Sequence, residues 1–210
     1  MSERRARLVG GIAPHYSTTP PPNYLLPLPP PDPRSDHDLV AGLNAGDPSA
    51  FDALYDRYRD WVVRLARRFC GNDADALDVL QETFSYLLRK FPGFTLSAAM
   101  TTFLYPVVKH LSLAAKRKTM RLVGAGDDAL ADVEDRSSDD PADSRPELAA
   151  VLAALPDGHR EVLLMRFVDG LQMSEIAVAL GIPTGTVKSR LHNALATLRS
   201  DPRTRAYFGE

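Results

Sequence analysis

The chain has one cysteine, Cys70, and one tryptophan, Trp61, in 210 residues. A single thiol excludes an internal disulfide framework and any multi-cysteine metal site, and it fits a reducing compartment. Cys70 is expected to be a small buried hydrophobe. The five histidines are scattered, no HExxH or P-loop run is present, and Gly124-Ala125-Gly126 is too short to specify a phosphate cradle. No catalytic residue, metal ligand or cofactor is expected. No stretch approaches the roughly 18 apolar residues of a spanning helix, and the start, MSERRARLVGG, lacks the apolar core of a signal peptide. These absences predict a cytoplasmic protein without membrane insertion. A strong net charge is missing too: the sum is -2, but it conceals a segregation of sign along the chain.

What is present is an apolar fraction of 44%, enough for packed cores. Residues 1–35 hold nine of the 17 prolines, which remove backbone donors and disfavour helix, so this segment reads as a disordered tail. From Asp47-Pro48, an N-cap followed by proline in the first turn, apolar residues recur at Phe51, Leu54, Tyr55, Tyr58, Val62, Leu65 and Phe69. That spacing predicts a long amphipathic helix. After Gly71-Asn72-Asp73 a second pattern puts Leu77, Leu80, Phe84, Leu87, Leu88 and Phe91 on one side, and Pro92 is expected to end it. A third helix carries Met100, Phe103, Leu104, Val107, Val108 and Leu111. Between Phe103 and Arg121 it has five Lys or Arg and no acid. The sign then reverses: Leu122 to Pro146 contains eight acidic residues and few large apolar ones, predicting a flexible linker. Leu148–Leu155 and Pro156–Val168 read as two further helices closed by Asp169-Gly170.

The most informative stretch is LQMSEIAVALGIPTGTVKSRLHNALATLR. Ser174 is placed to cap a two-turn helix, Glu175 lies at its positive end, and Gly181-Ile182-Pro183 breaks it before a longer helix. At about 100° per residue, Val187, Leu191, Ala194, Leu195 and Leu198 share the inward face of that second helix. The outward face then carries Thr184, Gly185, Thr186, Ser189, His192 and Asn193, flanked by Lys188 and Arg190, with no acid from Pro183 to Ser200. Small polar groups near a helix N-terminus reach base edges and flanking cations neutralise phosphates, so this is expected to be a DNA-reading helix-turn-helix. Gly185 suits close approach of DNA backbone. His192 is either a base reader or a solvated histidine.

EIAVALGIPTGTVKSRLHNA, with LPDGHREVLLMRF before it, resembles region 4 of the extracytoplasmic-function sigma factors of bacterial RNA polymerase. FDALYDRYRDWVVRLARRFCGNDADALDVLQETFSYLLRKF resembles their region 2, including the core-binding signature, here Asp78-Val79-Leu80-Gln81-Glu82-Thr83-Phe84. Two matching segments in the right order cover roughly 160 residues. The resemblance implies an all-α protein of two small helical domains joined by a flexible acidic linker, the second containing the helix-turn-helix. The divisions are 1–35 tail, 36–121 region 2-like, 122–145 linker and 146–210 region 4-like. It implies a sigma factor that binds core RNA polymerase and directs promoter recognition, DNA opening and transcription initiation. An anti-sigma protein is a further partner the family allows. Asp78, Gln81, Glu82 and Phe84 would meet polymerase, although Phe84 can equally be core. Phe103, Lys109, His110, Lys116, Arg117 and Lys118 would contact and open the downstream element, and the helix at 184–193 would read the upstream element as duplex. The rival reading is a helix-turn-helix regulator that is no polymerase subunit.

Where the family has Trp-Leu, Arg-Asn and a downstream Asp, this chain has Phe103-Leu104, Lys109-His110 and Ala114, and Asn193 replaces an Arg. Phe103 can stack on a base or pack in the core, and Pro106 either kinks or breaks its helix. These changes predict an unusual promoter preference. The acidic linker is either a nucleic-acid mimic, through Asp127, Asp128, Asp132, Glu134 and Asp135, or a solvated spacer. The proline-rich tail is expected to dock a partner, because extended proline segments are cheap to order.

Overall fold

A computed structural model describes residues 31–122 and 146–208. The proposed tail up to residue 30 and the acidic linker lie outside the described residues. Among the described residues there are eight α-helices and no strand.

The first helix, α1 (Asp36–Asn44), was not foreseen. Its start is a reciprocal capping box: the Asp38 N–H donates to Ser35 Oγ at 3.2 Å and the Ser35 N–H to the Asp38 carboxylate at 3.1 Å. Leu39 and Val40 bury one side of it. The long helix α2 (Pro48–Cys70) starts on Asp47, which accepts from the Ser49 N–H at 2.9 Å, and stops at Gly71, whose φ of 80° is the left-handed C-cap. Arg57 ties α1 to α2 through Asp36 at 2.6 Å and the carbonyl of Arg34 at 2.7 Å.

Helix α3 (Asp73–Leu88) is capped by Asn72, which accepts from the Asp75 N–H at 2.8 Å. It ends three residues short of the predicted stop. Phe91 precedes Pro92 and so avoids helical backbone, and the chain closes with Lys90 and Phe91 N–H groups bonded three residues back, to Leu87 and Leu88. Its buried stripe is Ala76, Val79, Leu80, Thr83, Phe84 and Leu87. Leu77, expected on that stripe, sits about 100° away from Ala76 and is 52% exposed. Helix α4 (Met100–Leu122) runs unbroken through Pro106, which is exposed. Pro106 has no N–H to offer the Thr102 carbonyl, yet the helix continues to Leu122, so the broken-helix alternative does not hold. Helices α1–α4 pack around Leu54, Val62, Leu65, Phe84, Leu104 and Val108. Cys70 is buried there as expected, its thiol 3.7 Å from the Ser112 carbonyl, and burial pushes its pKa up.

Past the linker come α5 (Pro146–Ala154), α6 (Asp157–Phe167), α7 (Met173–Leu180) and α8 (Thr184–Ser200), followed by a 3-10 turn at Arg205–Phe208. Val151, Leu155, Leu163, Ala194 and Leu198 form a local core between α5, α6 and α8. Buried Thr204 donates its hydroxyl to the Leu198 carbonyl and anchors the turn under the end of α8. The remaining apolar side chains of this half, Val162, Met165, Leu171, Ile176, Ala177 and Val187, join the cluster that contains Leu104, Tyr105 and Val108. One continuous core therefore runs from α2 and α4 into α6–α8.

Candidate nucleic-acid interface

Three surfaces carry the residues singled out from the sequence. The first is the outward face of α8. Its partner α7 begins two residues earlier than predicted, because the N-cap is Gln172, whose N–H donates to Glu175 at 2.7 Å; Ser174 lies inside the first turn. Gly181, with φ of 64°, turns the chain, and Pro183 precedes the first residue of α8. Val187, Ala194 and Leu198 are buried, with Leu191 and Leu195 half-buried beside them. Fixing that side inward leaves Thr184, Gly185, Lys188, Ser189, His192 and Asn193 exposed, with Thr186 half-buried. The Ser189 hydroxyl donates to the Thr186 carbonyl at 3.0 Å, so it presents mainly an acceptor outward. Nothing lies within 4 Å of a Cβ built on Gly185, as open approach requires. Arg190 behaves differently: it is half-buried, and a Cβ on Gly158 of α6 would stand 3.0 Å from its guanidinium. The Arg190 side chain lies across α6 rather than outward with Lys188.

The second surface is a groove of about 970 Å³ between α3, the loop 94–98 and α4. Phe103 and His110 line it, together with Tyr86, Arg89 and exposed Pro106. Phe103 is half-buried in an aromatic wall, 4.8 Å from the Phe94 ring and 6.3 Å from that of Tyr86. It is thus both a packing residue and a groove residue. The Lys90 ammonium stands 4.6 Å from the Tyr86 ring. Asn44 at the end of α1 holds the loop from behind, accepting from the Gly93 N–H at 2.7 Å and donating to the Phe94 carbonyl at 2.8 Å. Nothing in the local pattern around Asn44 distinguishes it from an ordinary helix-end asparagine. Further along α4, Arg117 and Lys118 are exposed and Lys116 is half-buried. Lys109 is not in the groove: it pairs with Glu161 of α6.

The third surface is on α3, where Asp78, Gln81 and Glu82 are exposed on consecutive turns. Phe84 does not join them. It is 3% exposed, with its ring 6.0 Å from Phe51 edge-on and 4.9 Å from Tyr55. A ring enclosed in this way has no face left for a partner, and Phe84 is a core residue.

The sequence reading also missed a polar seam where α6 and the loop after it meet α2 and α4. The Tyr105 hydroxyl donates to Glu161 at 2.9 Å, Lys109 pairs with the same carboxylate, and Arg68 meets Asp169 at 2.6 Å. The Arg68 and Asp169 side chains are only 13% and 6% exposed. Burial, first, and then the adjacent Glu161 charge push the Tyr105 hydroxyl pKa up, so it stays protonated as a donor.

With that geometry in place, comparison with known proteins gives a consistent result. Residues 54–122 match the Sigma-70 region 2 family and residues 145–198 the Sigma-70 region 4 family. The chain is 30% identical over 177 residues to the ECF RNA polymerase sigma factor SigW of Bacillus subtilis, covering 78% of this chain and 95% of that one. To SigL of Mycobacterium tuberculosis, also an ECF RNA polymerase sigma factor, it is 34% identical over 170 residues, 76% of this chain and 93% of that one. Among solved structures, the sigma factor RpoE from Bartonella quintana, in complex with the anti-sigma factor NepR, shares the fold. Its TM-score is 0.55 at 20% identity, over 71% of this chain and 94% of that one. Members of this family are non-catalytic transcription factors, and no described helix is long and apolar enough to cross a membrane. The chain belongs to the extracytoplasmic-function family of RNA polymerase sigma factors, polymerase-associated proteins that direct transcription initiation.

Proposed function

We propose that this sigma factor divides its work between three faces. Asp78, Gln81 and Glu82 dock on core polymerase. The groove holding Phe103 and His110, with Lys109, Lys116, Arg117 and Lys118 along the same helix, receives the downstream promoter element as it opens. Thr184, Gly185, Thr186, Lys188, Ser189, His192 and Asn193 read the upstream element as duplex. The observation that carries this reading is the exposed, acid-free face of α8 behind the Gly181 turn, within a segment that matches sigma region 4. Flat side chains beside cations in the groove suit unstacked bases and their phosphates. Arg190 contributes by holding α8 against α6 rather than by leading a DNA contact.

In this reading the protein binds and positions without covalent catalysis, and it acts in the cytoplasm, where chromosome and polymerase meet. The functional divisions follow the order 1–35, 36–121, 122–145 and 146–210. An anti-sigma protein is the partner suggested by the complex of RpoE with NepR. The test is end-mapped transcription of a fragmented genomic library by purified core polymerase, with and without the protein. New discrete starts that share two spaced upstream elements are expected. Polymerase binding without new starts would refute the opening role, and absent polymerase binding would refute the docking role of α3.

A further inference from the structure

The wall of the groove formed by residues 94–98 has almost no hydrogen bonds of its own. From Pro92 to Ala98 the backbone makes no bond to other backbone, and the two hydrogen bonds it does make, among the described residues, both involve the Asn44 carboxamide. Apolar contacts hold the rest: Leu96 is buried in the core, and the Phe94 ring meets Phe91 at 5.5 Å and Phe103 at 4.8 Å. Thr95 and Ser97, on either side of Leu96, are exposed and line the groove with hydroxyls and peptide groups that have no protein partner among the described residues. Donors and acceptors of this kind discriminate between bases only where their positions are fixed.

The fixing comes from outside the loop. Asn44 is the last residue of α1, which Leu39 and Val40 seat in the core. Its carboxamide has an acceptor side and a donor side, and the Gly93 N–H and the Phe94 carbonyl use one each, at 2.7 and 2.8 Å. Gly93 stands at φ of 103°, so the two bonds fix the step from a left-handed turn into the wall. A carboxylate in place of Asn44 would keep the bond from Gly93 but set a second acceptor against the Phe94 carbonyl, and alanine would keep neither bond. We propose that Asn44 is a positioning residue for promoter specificity: it sets where Phe94 and the backbone of residues 95–97 stand, and through them which base of the opened downstream element the groove accepts. The inference rests on the assignment of the groove to that element. It brings α1, which carries none of the residues assigned to DNA or polymerase, into promoter recognition. Without the two bonds the loop still closes over Leu96, but Phe94 and the peptide groups beside it sample several positions. A preference that depends on one position is then lost, while the capacity to bind DNA is kept.

The test uses holoenzyme, formed from purified core polymerase and the full chain, on a fragmented genomic library, with starts end-mapped and base frequencies compiled for both upstream elements. Wild type is compared with Asn44→Ala, Asn44→Asp, Phe94→Ala and Asn44→Ala/Phe94→Ala. A base read by the groove is expected to be favoured roughly tenfold in wild type, and Asn44→Ala to reduce that preference to about twofold at one or two adjacent positions of the downstream element. Base frequencies in the element read by α8 stay as in wild type. Asn44→Asp, of the same size and still bonded to Gly93, is expected to lose the same preference, and it carries the test if Asn44→Ala does not fold. In the Phe94→Ala background, Asn44→Ala is expected to change the frequencies no further, because it acts through that wall. A fall in transcript yield at every site with wild-type base frequencies retained would overturn the proposal, since that is what a bond serving the fold alone predicts. Equal loosening of both elements would overturn it too. Wild-type starts that share no downstream element would overturn the groove's assignment and the proposal with it, a failure distinct from one seen only in the variants.

Discussion

Truncating Phe84 to alanine separates what α3 does for the fold from what it does for polymerase. The ring is 3% exposed and lies against Phe51 and Tyr55, so its removal forfeits the transfer free energy of a buried aromatic side chain and leaves a cavity between α2 and α3. Substitutions of this kind cost about 3–5 kcal/mol. The total stability of a domain is roughly 5–15 kcal/mol, so the loss takes a third or more of it in most of that range. With a urea slope of about 2 kcal/mol per molar, a 4 kcal/mol loss lowers the unfolding midpoint by roughly 2 M. The control is Asp78→Ala/Gln81→Ala/Glu82→Ala on the exposed side of the same helix, where each substitution changes stability by no more than about 0.5 kcal/mol. Urea melts followed by circular dichroism, with affinity for core polymerase measured on the same samples, are expected to give opposite patterns. Phe84→Ala lowers the midpoint and the triple variant weakens polymerase binding. A Phe84→Ala protein with a native midpoint and lost polymerase affinity would refute the assignment of this ring to the core.

Three other outcomes follow from the geometry. Gly181→Ala puts a Cβ at φ of 64° in open space, so its cost is conformational alone, about 1–2 kcal/mol, and a thermal melt should show a lower midpoint. Lys188→Ala on the exposed face of α8 is expected to weaken holoenzyme binding to promoters evenly across sequences, with the salt slope smaller by about 1; a sequence-selective loss would make Lys188 a base reader. Asp201 is held at about 2, first by its side-chain hydrogen bond from Arg203 and then by the Arg203 N–H. Its folded pKa lies below the unfolded value of about 3.9, so its contribution is complete above that value and is lost as pH falls toward 2. Asp201→Asn should therefore flatten the acid limb of a stability-versus-pH curve in that window and leave the curve near neutrality parallel to the wild type.

Legibility in the sequence depended on the range over which each feature is encoded. The boundaries of α2 and the split of α8 into inward Val187, Ala194 and Leu198 and outward Lys188, Ser189 and Asn193 follow from period and caps, which are local. Helix α1 was equally local, and its Ser35-to-Asp38 box was a readable start signal; the apolar periodicity was followed only from Asp47-Pro48, and the short helix before it was passed over. On α3 the helical period was right while its phase was wrong at the edge. Ala76 and Leu77 are both apolar, and only packing against α2 and α4 decides which of these adjacent positions is buried.

The seam was beyond sequence reasoning for a different reason. Glu161 and Asp169 look like ordinary charges of a helix and of the turn after it, and their partners lie 52 and 101 residues away. No periodicity relates such positions. The consequence is functional as well as structural. A basic helix read alone, as α4 was, counts Lys109 among cations available to DNA, whereas in the folded chain that charge is matched by Glu161 of α6. Removing one partner of a largely buried pair such as Arg68 with Asp169 strands the other charge, at a cost of about 3–5 kcal/mol.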